Sequence, residues 1–357
     1  MKITATTMDR LTPDQRAAWV DYQRADPTLA SPYFHPDFVR LAAARRGGVE
    51  VGVLEAGGEP VGFFPFERRG RQSAVPVAAP LNDFQAVVGR RGLTFDPVQL
   101  LRGCGLAVWR FSHLLAGQTV FKPYAWKEVP SAFMDLSRGF DAYMKQREEA
   151  GCTELAQSRR KTKKVENQVG PLRFVTHTVD DEAFRALARW KGEQYRRTSR
   201  ANLFDVAWIV ALLKNIRRHA GDDFAGLFSA LYMGDRLAAV HLGMRYRNVL
   251  HAWFPAYDAD LGRYSPGTIL FCELARAAPG LGIDRIDLGS GPERFKLGLM
   301  SGSVPVAEGA VDLRGVARTF DRMRRSASQV IQTSPWCAPA RAAARISRPL
   351  RQWMAIR

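Results

Sequence analysis

A strand that runs through a glycine-containing loop into a helix leaves unpaired backbone N–H groups and the positive end of the helix dipole facing outward, and a phosphate is the natural occupant. Arg263, Ser265, Gly267 and Thr268, in Arg263-Tyr264-Ser265-Pro266-Gly267-Thr268, have that arrangement between an expected strand and an expected helix. They are the candidate cofactor-binding residues. Three neighbours in the sequence have acid–base chemistry and are the catalytic candidates. His251 falls on the strand before the loop, Tyr257 at its end, and Asp287 at the end of the following strand, opening Gly289-Ser290-Gly291. A partly buried carboxylate there is raised in pKa and suits a general base, although a carboxylate at a strand end also caps helices. Tyr257 has a hydroxyl to protonate a leaving group or, alternatively, only turns the chain. Lys296 follows on a short helix, where it binds a phosphate or polarises a carbonyl, or lies on the surface.

Other chemistries lack a motif. Cys104, Cys152, Cys272 and Cys337 form no Cys-x-x-Cys pair, and the six histidines show no His-x-x-x-His spacing. No metal site is expected. A Gly-x-Ser-x-Gly elbow and a Walker loop are also missing.

The elements that must position these residues read clearly from Leu172 onward. The order is a strand at Leu172–His177, helices at Asp181–Tyr195 and Asp205–His219, and strands at 224–232, 236–246 and 249–255. A helix over 267–278, a strand at Ile283–Leu288, a short helix at 293–299 and a last strand at 304–313 complete it. If Arg247-Asn248 is a two-residue hairpin loop, Tyr246 pairs with Val249 and Met244 with His251. His251 and His241 then occupy opposite faces, and only one of them meets a cleft. Tyr195 falls on the apolar stripe of its helix with Phe184 and Leu187 and reads as core. Lys191 interrupts that stripe and is expected to point into a substrate groove.

Residues 13–69 repeat the pattern weakly, with two helices (Pro13–Arg24, Pro36–Arg45) before two strands joined at Gly57-Gly58. A duplicated α/β unit follows, in keeping with a 357-residue chain that exceeds the usual size of one core. Apolar residues make up 46% and charged residues 24%, as in a globular protein. The longest apolar run, 206–213, is too short to span a bilayer, and the N-terminus lacks a signal-peptide core, so a cytoplasmic location is expected.

The net charge is +17, but about half of it comes from ten arginines against one acid in residues 314–357. That tail, with Arg341, Arg345, Arg348 and Trp353, suits an anionic inner-membrane surface or a cyclic dinucleotide such as cyclic di-GMP; DNA is not an expected partner. A second basic run, Ser158–Lys164, offers Arg160, Lys161 and Lys164 to a phosphorylated substrate, or is a solvated helix face.

The order of elements resembles the GNAT acyltransferase fold, and the duplication resembles tandem-GNAT proteins of the CelD/BcsL type, relatives of the FemAB peptidyltransferases. The resemblance rests on Arg159-Arg160-Lys161 leading to Gly170-Pro171-Leu172, Trp190-Lys191, Gly234-Asp235 with Ala238 to Gly243, and Tyr257-Asp258. Ser265-Pro266-Gly267, Asp287-Leu288-Gly289-Ser290-Gly291 and Phe295-Lys296 continue it, and Asn82-Asp83-Phe84-Gln85 after Pro80 looks like the matching signature of the first half. It implies a mixed-sheet α/β fold with two tandem GNAT-like domains. These are a degenerate acceptor-side domain at 1–150, an acyl-CoA-binding domain at 151–313 and the basic tail at 314–357. It further implies an N-acyltransferase that moves an acetyl or other acyl group from acetyl-CoA or another acyl-CoA. The implied acceptor is an amine on an amino-sugar-containing glycan or lipid-linked precursor, in exopolysaccharide or holdfast biosynthesis. Asp83 and Gln85 join Arg160, Lys161, Lys164, Lys191 and Lys296 as substrate-binding candidates. In such a fold the pantetheine chain pairs with the edge of the strand at 249–255. Here the phosphate loop departs from the family pattern, with Arg263 four residues before Gly267 and Pro266 inserted. Two alternatives stay open: FemAB-like aminoacyl transfer from aminoacyl-tRNA, and a non-catalytic effector of polysaccharide synthesis that responds to cyclic di-GMP.

Overall fold

The computed structural model describes residues 1–291 and 294–314. The membrane and cyclic di-GMP readings of the tail fall outside these residues. Strand β1 (Lys2–Thr6) is followed by α1 (Pro13–Ala25), α2 (Pro36–Ala43), β2 (Val49–Ala56), β3 (Glu59–Arg68), β4 (Ser73–Val75) and β5 (Val88–Gly89). Next come α3 (Pro97–Gly103), β6 (Val108–Leu115) and β7 (Ala125–Asp135). The polar stretch from Lys145 to Gln168 folds mostly into α4 (Phe140–Glu149) and α5 (Thr153–Gln168). The second unit is β8 (Leu172–Val175), α6 (Asp181–Arg197), α7 (Ala207–Arg218), β9 (Phe224–Met233), β10 (Arg236–Tyr246), β11 (Val249–Tyr257), α8 (Pro266–Ala277), β12 (Arg285–Ser290), α9 (Arg294–Leu299) and β13 (Gly302–Asp312). The α/β class and the element order from Leu172 onward match the expectation.

Local chemistry accounts for several boundaries. Thr12 and Gln15 form a capping box around Pro13 at the start of α1, and Asp180 accepts from the N–H groups of Glu182 and Ala183 to start α6. The β10–β11 hairpin pairs Tyr246 with Val249 and Met244 with His251, as the two-residue loop predicts; Arg247 takes up the left-handed conformation the turn needs, at φ 50°. A bulge at Leu242/Gly243 then moves Leu242 opposite Phe254.

One continuous sheet runs β1-β2-β3-β4-β6-β13-β7-β12-β11-β10-β9-β8, with β5 paired to β3. The last strand of each unit is exchanged. Strand β7 of the first unit pairs antiparallel with β12 of the second, while β13 of the second pairs antiparallel with β6 of the first. The exchanged strands also pair with each other, so the units meet through backbone hydrogen bonds as well as side chains. On one face, α1, α2, α6 and α7 bury a single apolar core that spans both units, including Trp19, Phe38, Phe63, Leu187, Leu212 and Phe228. On the other face the cores stay separate, one under α3 and others under α4, α5, α8 and α9. No helix among the described residues is long and apolar enough to cross a membrane.

Candidate active site

The parallel pair β11 and β12 stays in register for only three residues, Val249 with Arg285, Leu250 with Ile286 and His251 with Asp287. Beyond His251 the strands diverge, and Ala252–Tyr257 pairs only with β10. The result is a fork whose apex holds His251 and Asp287 side by side. Their Cα register puts both side chains on the face that looks toward the first unit.

What meets them is the loop between β4 and β5. The carbonyl of Leu81 accepts from Tyr33 Oη at 3.0 Å and Trp253 Nε1 at 2.9 Å, while Asn82 bonds the backbone at Val77 and Phe84. So pinned, the loop brings Asp83 Oδ2 to 3.0 Å from His251 Nε2. Tyr33 and Phe84 stand edge-on to the imidazole, with centroids 4.9 and 6.0 Å away. His251 is fully buried, whereas the Asp83 side chain is 32% exposed and forms the accessible end of the pair. Burial alone would raise the Asp83 carboxyl. The hydrogen bond from His251 and the charges of His251, His113 and Lys296 outweigh it and hold the group below the usual carboxylate range.

Asp287 is the opposite case. Burial raises its carboxyl above the usual range despite Arg285, whose Nε donates to Oδ1 at 2.7 Å, and Oδ2 has no partner. Asp287 lies inside β12, which continues to Ser290. Together with Arg285 it lines one end of a cavity of about 620 Å³ that runs under Leu29, Phe34, Phe84 and Phe95 of the first unit. His241 takes the other face, as expected, buried against Phe271 with neither ring nitrogen bonded; burial lowers it to about 3.

The remaining candidates divide between two places. Lys296 Nζ donates to the carbonyl of Ser290 at 2.8 Å and so belongs with Asp83 and His251. Lys191 lies 6.0 Å from the Tyr195 ring centroid and donates to Gln194 at 3.0 Å. Tyr195 is only half-buried and not core; burial, against the charge of Arg200 and with the help of Asp83, raises its hydroxyl to about 12. Gln85 is buried rather than presented to a substrate, because its amide bonds Ser112, His113 and Asn82 and shapes the loop.

The second place is the start of α8. Ser265 takes a left-handed conformation (φ 55°) and its side chain caps no N–H group; instead its Oγ accepts from Lys161 Nζ at 2.6 Å. The ring of exposed Tyr257 lies 3.4 Å from where a Cβ on Gly267 would sit. Thr268 is half-buried in the first turn of α8, and Arg263 is exposed, its guanidinium over the Tyr264 ring at 4.8 Å. Helix α5 brings Arg160 and Lys164, both exposed, alongside Lys161. Tyr257 therefore lies with the phosphate-loop residues, at the open end of β11, and Lys161 of α5 reaches the same place. The positive end of the α8 dipole, an adjacent lysine and an unpaired strand edge fit a phosphorylated acyl donor. Among the described residues, no cluster of three histidines, cysteines or carboxylates could hold a metal ion.

Sequence reasoning missed His113, Ser112 and Tyr33. His113 Nε2 lies 2.8 Å from Ser290 Oγ, so the first unit supplies a second histidine to the same cleft. The polar pair Ser112-His113 interrupts the apolar strand Val108–Leu115, which was a visible signal.

Residues 154–297 match the model of the GNAT acetyltransferase domain. Among solved structures, the chain is similar to FemX at 8% identity and a TM-score of 0.58, over 88% of this chain and 97% of that one. It is similar to the C-terminal domain of a protein named as a lysylphosphatidylglycerol synthetase from Agrobacterium fabrum, at 14% identity and a TM-score of 0.54, over 87% and 95%. A tandem GNAT protein from the clavulanic acid biosynthesis pathway aligns at 11% identity and a TM-score of 0.50, over 87% and 98%. These likenesses establish the tandem GNAT-like fold. No curated protein sequence matches the chain.

Proposed function

We propose that this protein is an N-acyltransferase whose active centre is shared between its two units. The observation that carries the reading is the Asp83–His251 pair, 3.0 Å apart at the apex of the β11/β12 fork. An amine entering the cleft as ammonium meets the partly exposed carboxylate of Asp83, which stays ionised because its pKa is held low. His251 behind it shares the proton, and the freed nitrogen attacks the acyl carbon. A new N–C bond forms and the bond to the leaving sulfur or oxygen breaks. Lys296, bonded to the Ser290 carbonyl, is the nearby donor for the developing negative charge. The donor is an acyl-CoA whose phosphates sit at the start of α8 against Lys161 and Arg263, and whose pantetheine follows the free edge of β11. The acceptor is an amine on an amino-sugar-containing glycan or lipid-linked precursor.

The test uses acetyl-CoA as donor and a glucosamine-terminated oligosaccharide as acceptor, following free thiol and acylated product. Acetyl-CoA-dependent product that disappears in Asp83→Asn supports the reading. Transfer from lysyl-tRNA with no reaction from acetyl-CoA would replace it with aminoacyl transfer. No transfer to any amine from either donor would sink both.

A further inference from the structure

Ser290, at the end of β12, has no part in the proton transfer above, yet its surroundings are those of an activated hydroxyl. His113 Nε2 lies 2.8 Å from its Oγ, and the far nitrogen of the ring, Nδ1, lies 3.1 Å from Ser112 Oγ. Gln85 holds this third member in place. Its Oε1 accepts from the backbone N–H groups of Ser112 and His113, each at 3.0 Å, which aims its amide nitrogen at Ser112 Oγ at 3.2 Å. With the ring proton on Nδ1 and donated to Ser112, Nε2 is bare and accepts from the Ser290 hydroxyl. Burial lowers His113 below the usual histidine range, against the pull of Asp83 and Glu308, so the ring is neutral at neutral pH and has a lone pair free to accept a proton. A nucleophile, a base and an orienting group in hydrogen-bond sequence are the arrangement that activates a serine. Glycines flank Ser290 on both sides, so no neighbouring side chain crowds its oxygen. Lys296 brings positive charge to the same point through the Ser290 carbonyl, and a Cβ on Gly289 would lie 3.2 Å from Asp83 Oδ2. The two histidine pairs therefore flank one spot.

We propose that Ser290 is a nucleophile that takes the acyl group from an activated ester or thioester before an amine receives it. Ser290 Oγ bonds the acyl carbon as its proton passes to His113 Nε2. The tetrahedral adduct then expels the thiolate or alkoxide, which leaves with that proton. In the second half the ammonium gives one proton to Asp83–His251 and attacks the serine ester; the N–C bond forms and the Oγ–C bond breaks. The second nitrogen proton returns through His113 to Ser290 Oγ. Only this second half rests on the acyl-transfer reading, because water in place of the amine makes the same centre an esterase.

A fluorophosphonate probe carries its own leaving group and needs no donor site, so it tests the serine directly. The full-length protein is expected to take up one label, mapped by peptide mass spectrometry to Ser290. Labelling should vanish in Ser290→Ala and slow roughly 10²-fold in His113→Gln, with circular dichroism confirming that both variants fold. Wild-type protein that takes no label at Ser290 overturns the proposal. Full acyl transfer by Ser290→Ala also overturns it and leaves the acyltransferase reading standing. Labelling and ester hydrolysis at Ser290 in a protein that acylates no amine uphold the proposal and remove that reading.

Discussion

Two helices occupy equivalent places in the two units, α3 and α8, and their first turns differ in charge. Both begin with proline at the first helical position. In α3 the preceding residue, Asp96, folds its carboxylate onto the N–H of Val98 at 2.9 Å, so the helix start already holds an anion. In α8 the preceding residue, Ser265, caps nothing and accepts instead from Lys161, so the helix start is open and faces a cation. The adjoining strands diverge in the same sense. Strand β11 is nine residues long and makes a fork with β12, whereas its counterpart is reduced to β4 and β5, of three and two residues, with a loop between them. That loop carries Asp83 across to the other unit, while Gln85 stays bonded to β6 of its own. On the proposed reading the second unit holds the donor and the first lends Asp83 to His251.

The sharpest way to break this comparison is to remove a group from each side of the shared centre. Asp83→Asn and His251→Gln should each lower kcat for acyl transfer by about 10² to 10⁴-fold with little change in donor affinity. If only the His251 variant is impaired, the first unit is not part of the chemistry.

Stability separates the units next. A Cβ on Gly226 would lie 1.8 Å from the backbone oxygen of Ile216, whereas one on Gly52 would lie 2.6 Å from the movable Cys104 thiol. Gly226→Ala should cost about 3 kcal/mol or more in urea unfolding and Gly52→Ala about 1 kcal/mol. Equal costs would mean that α7 yields as readily as a side chain does.

The helix starts give a smaller effect. Gly267→Trp, pressed against Tyr257, should weaken acetyl-CoA binding about 10-fold or more by isothermal titration, roughly 1.4 kcal/mol. Asp96→Ala should leave that binding unchanged and cost about 1 kcal/mol of stability through loss of the cap. A loss of acetyl-CoA affinity in Asp96→Ala would show that the first unit still binds the donor.

At neutral pH the smallest effect belongs to the seam, where His35 of the first unit stacks on Phe224 of the second, 5.5 Å between centroids. Burial, against the pull of Asp37 and Asp223 and with the help of His219 and Arg24, lowers His35 to about 4. The unfolded chain therefore takes up the proton first, and stability falls as pH drops from the ordinary histidine range, about 6.5, toward 4. His35→Asn, which keeps an acceptor for the Asp37 N–H that His35 Nδ1 now caps, should change the melting temperature little at pH 7 and flatten its fall below pH 6.5. An unchanged acid slope would move that sensitivity away from the seam.

Much of the second unit was legible because its signals are local. Alternating apolar residues around Gly234-Asp235 and Arg247-Asn248 specify β9, β10 and β11, and a two-residue loop specifies the register that separates His251 from His241. The first unit was less legible, since β4 and β5 are too short to show a period and the loop between them is held by Tyr33 and Trp253, far away in the chain. Tyr195 was misread for a related reason. Its position on an apolar stripe matches core spacing, but the packing of the whole helix leaves the side chain half-exposed with Lys191 6.0 Å from its ring.

By itself, then, the sequence determined the strands from Leu172 onward, the hairpin register and the loop that enters α8, because each depends on neighbours a few positions away. The tertiary structure alone decided that β7 and β13 change places and that Asp83 meets His251, and His113 meets Ser290, across separations of 168 and 177 residues. Those meetings depend on how two apolar faces and four strand edges close against each other. No spacing along the chain encodes that closure, since it is the sum of burial and backbone pairing over the whole sheet.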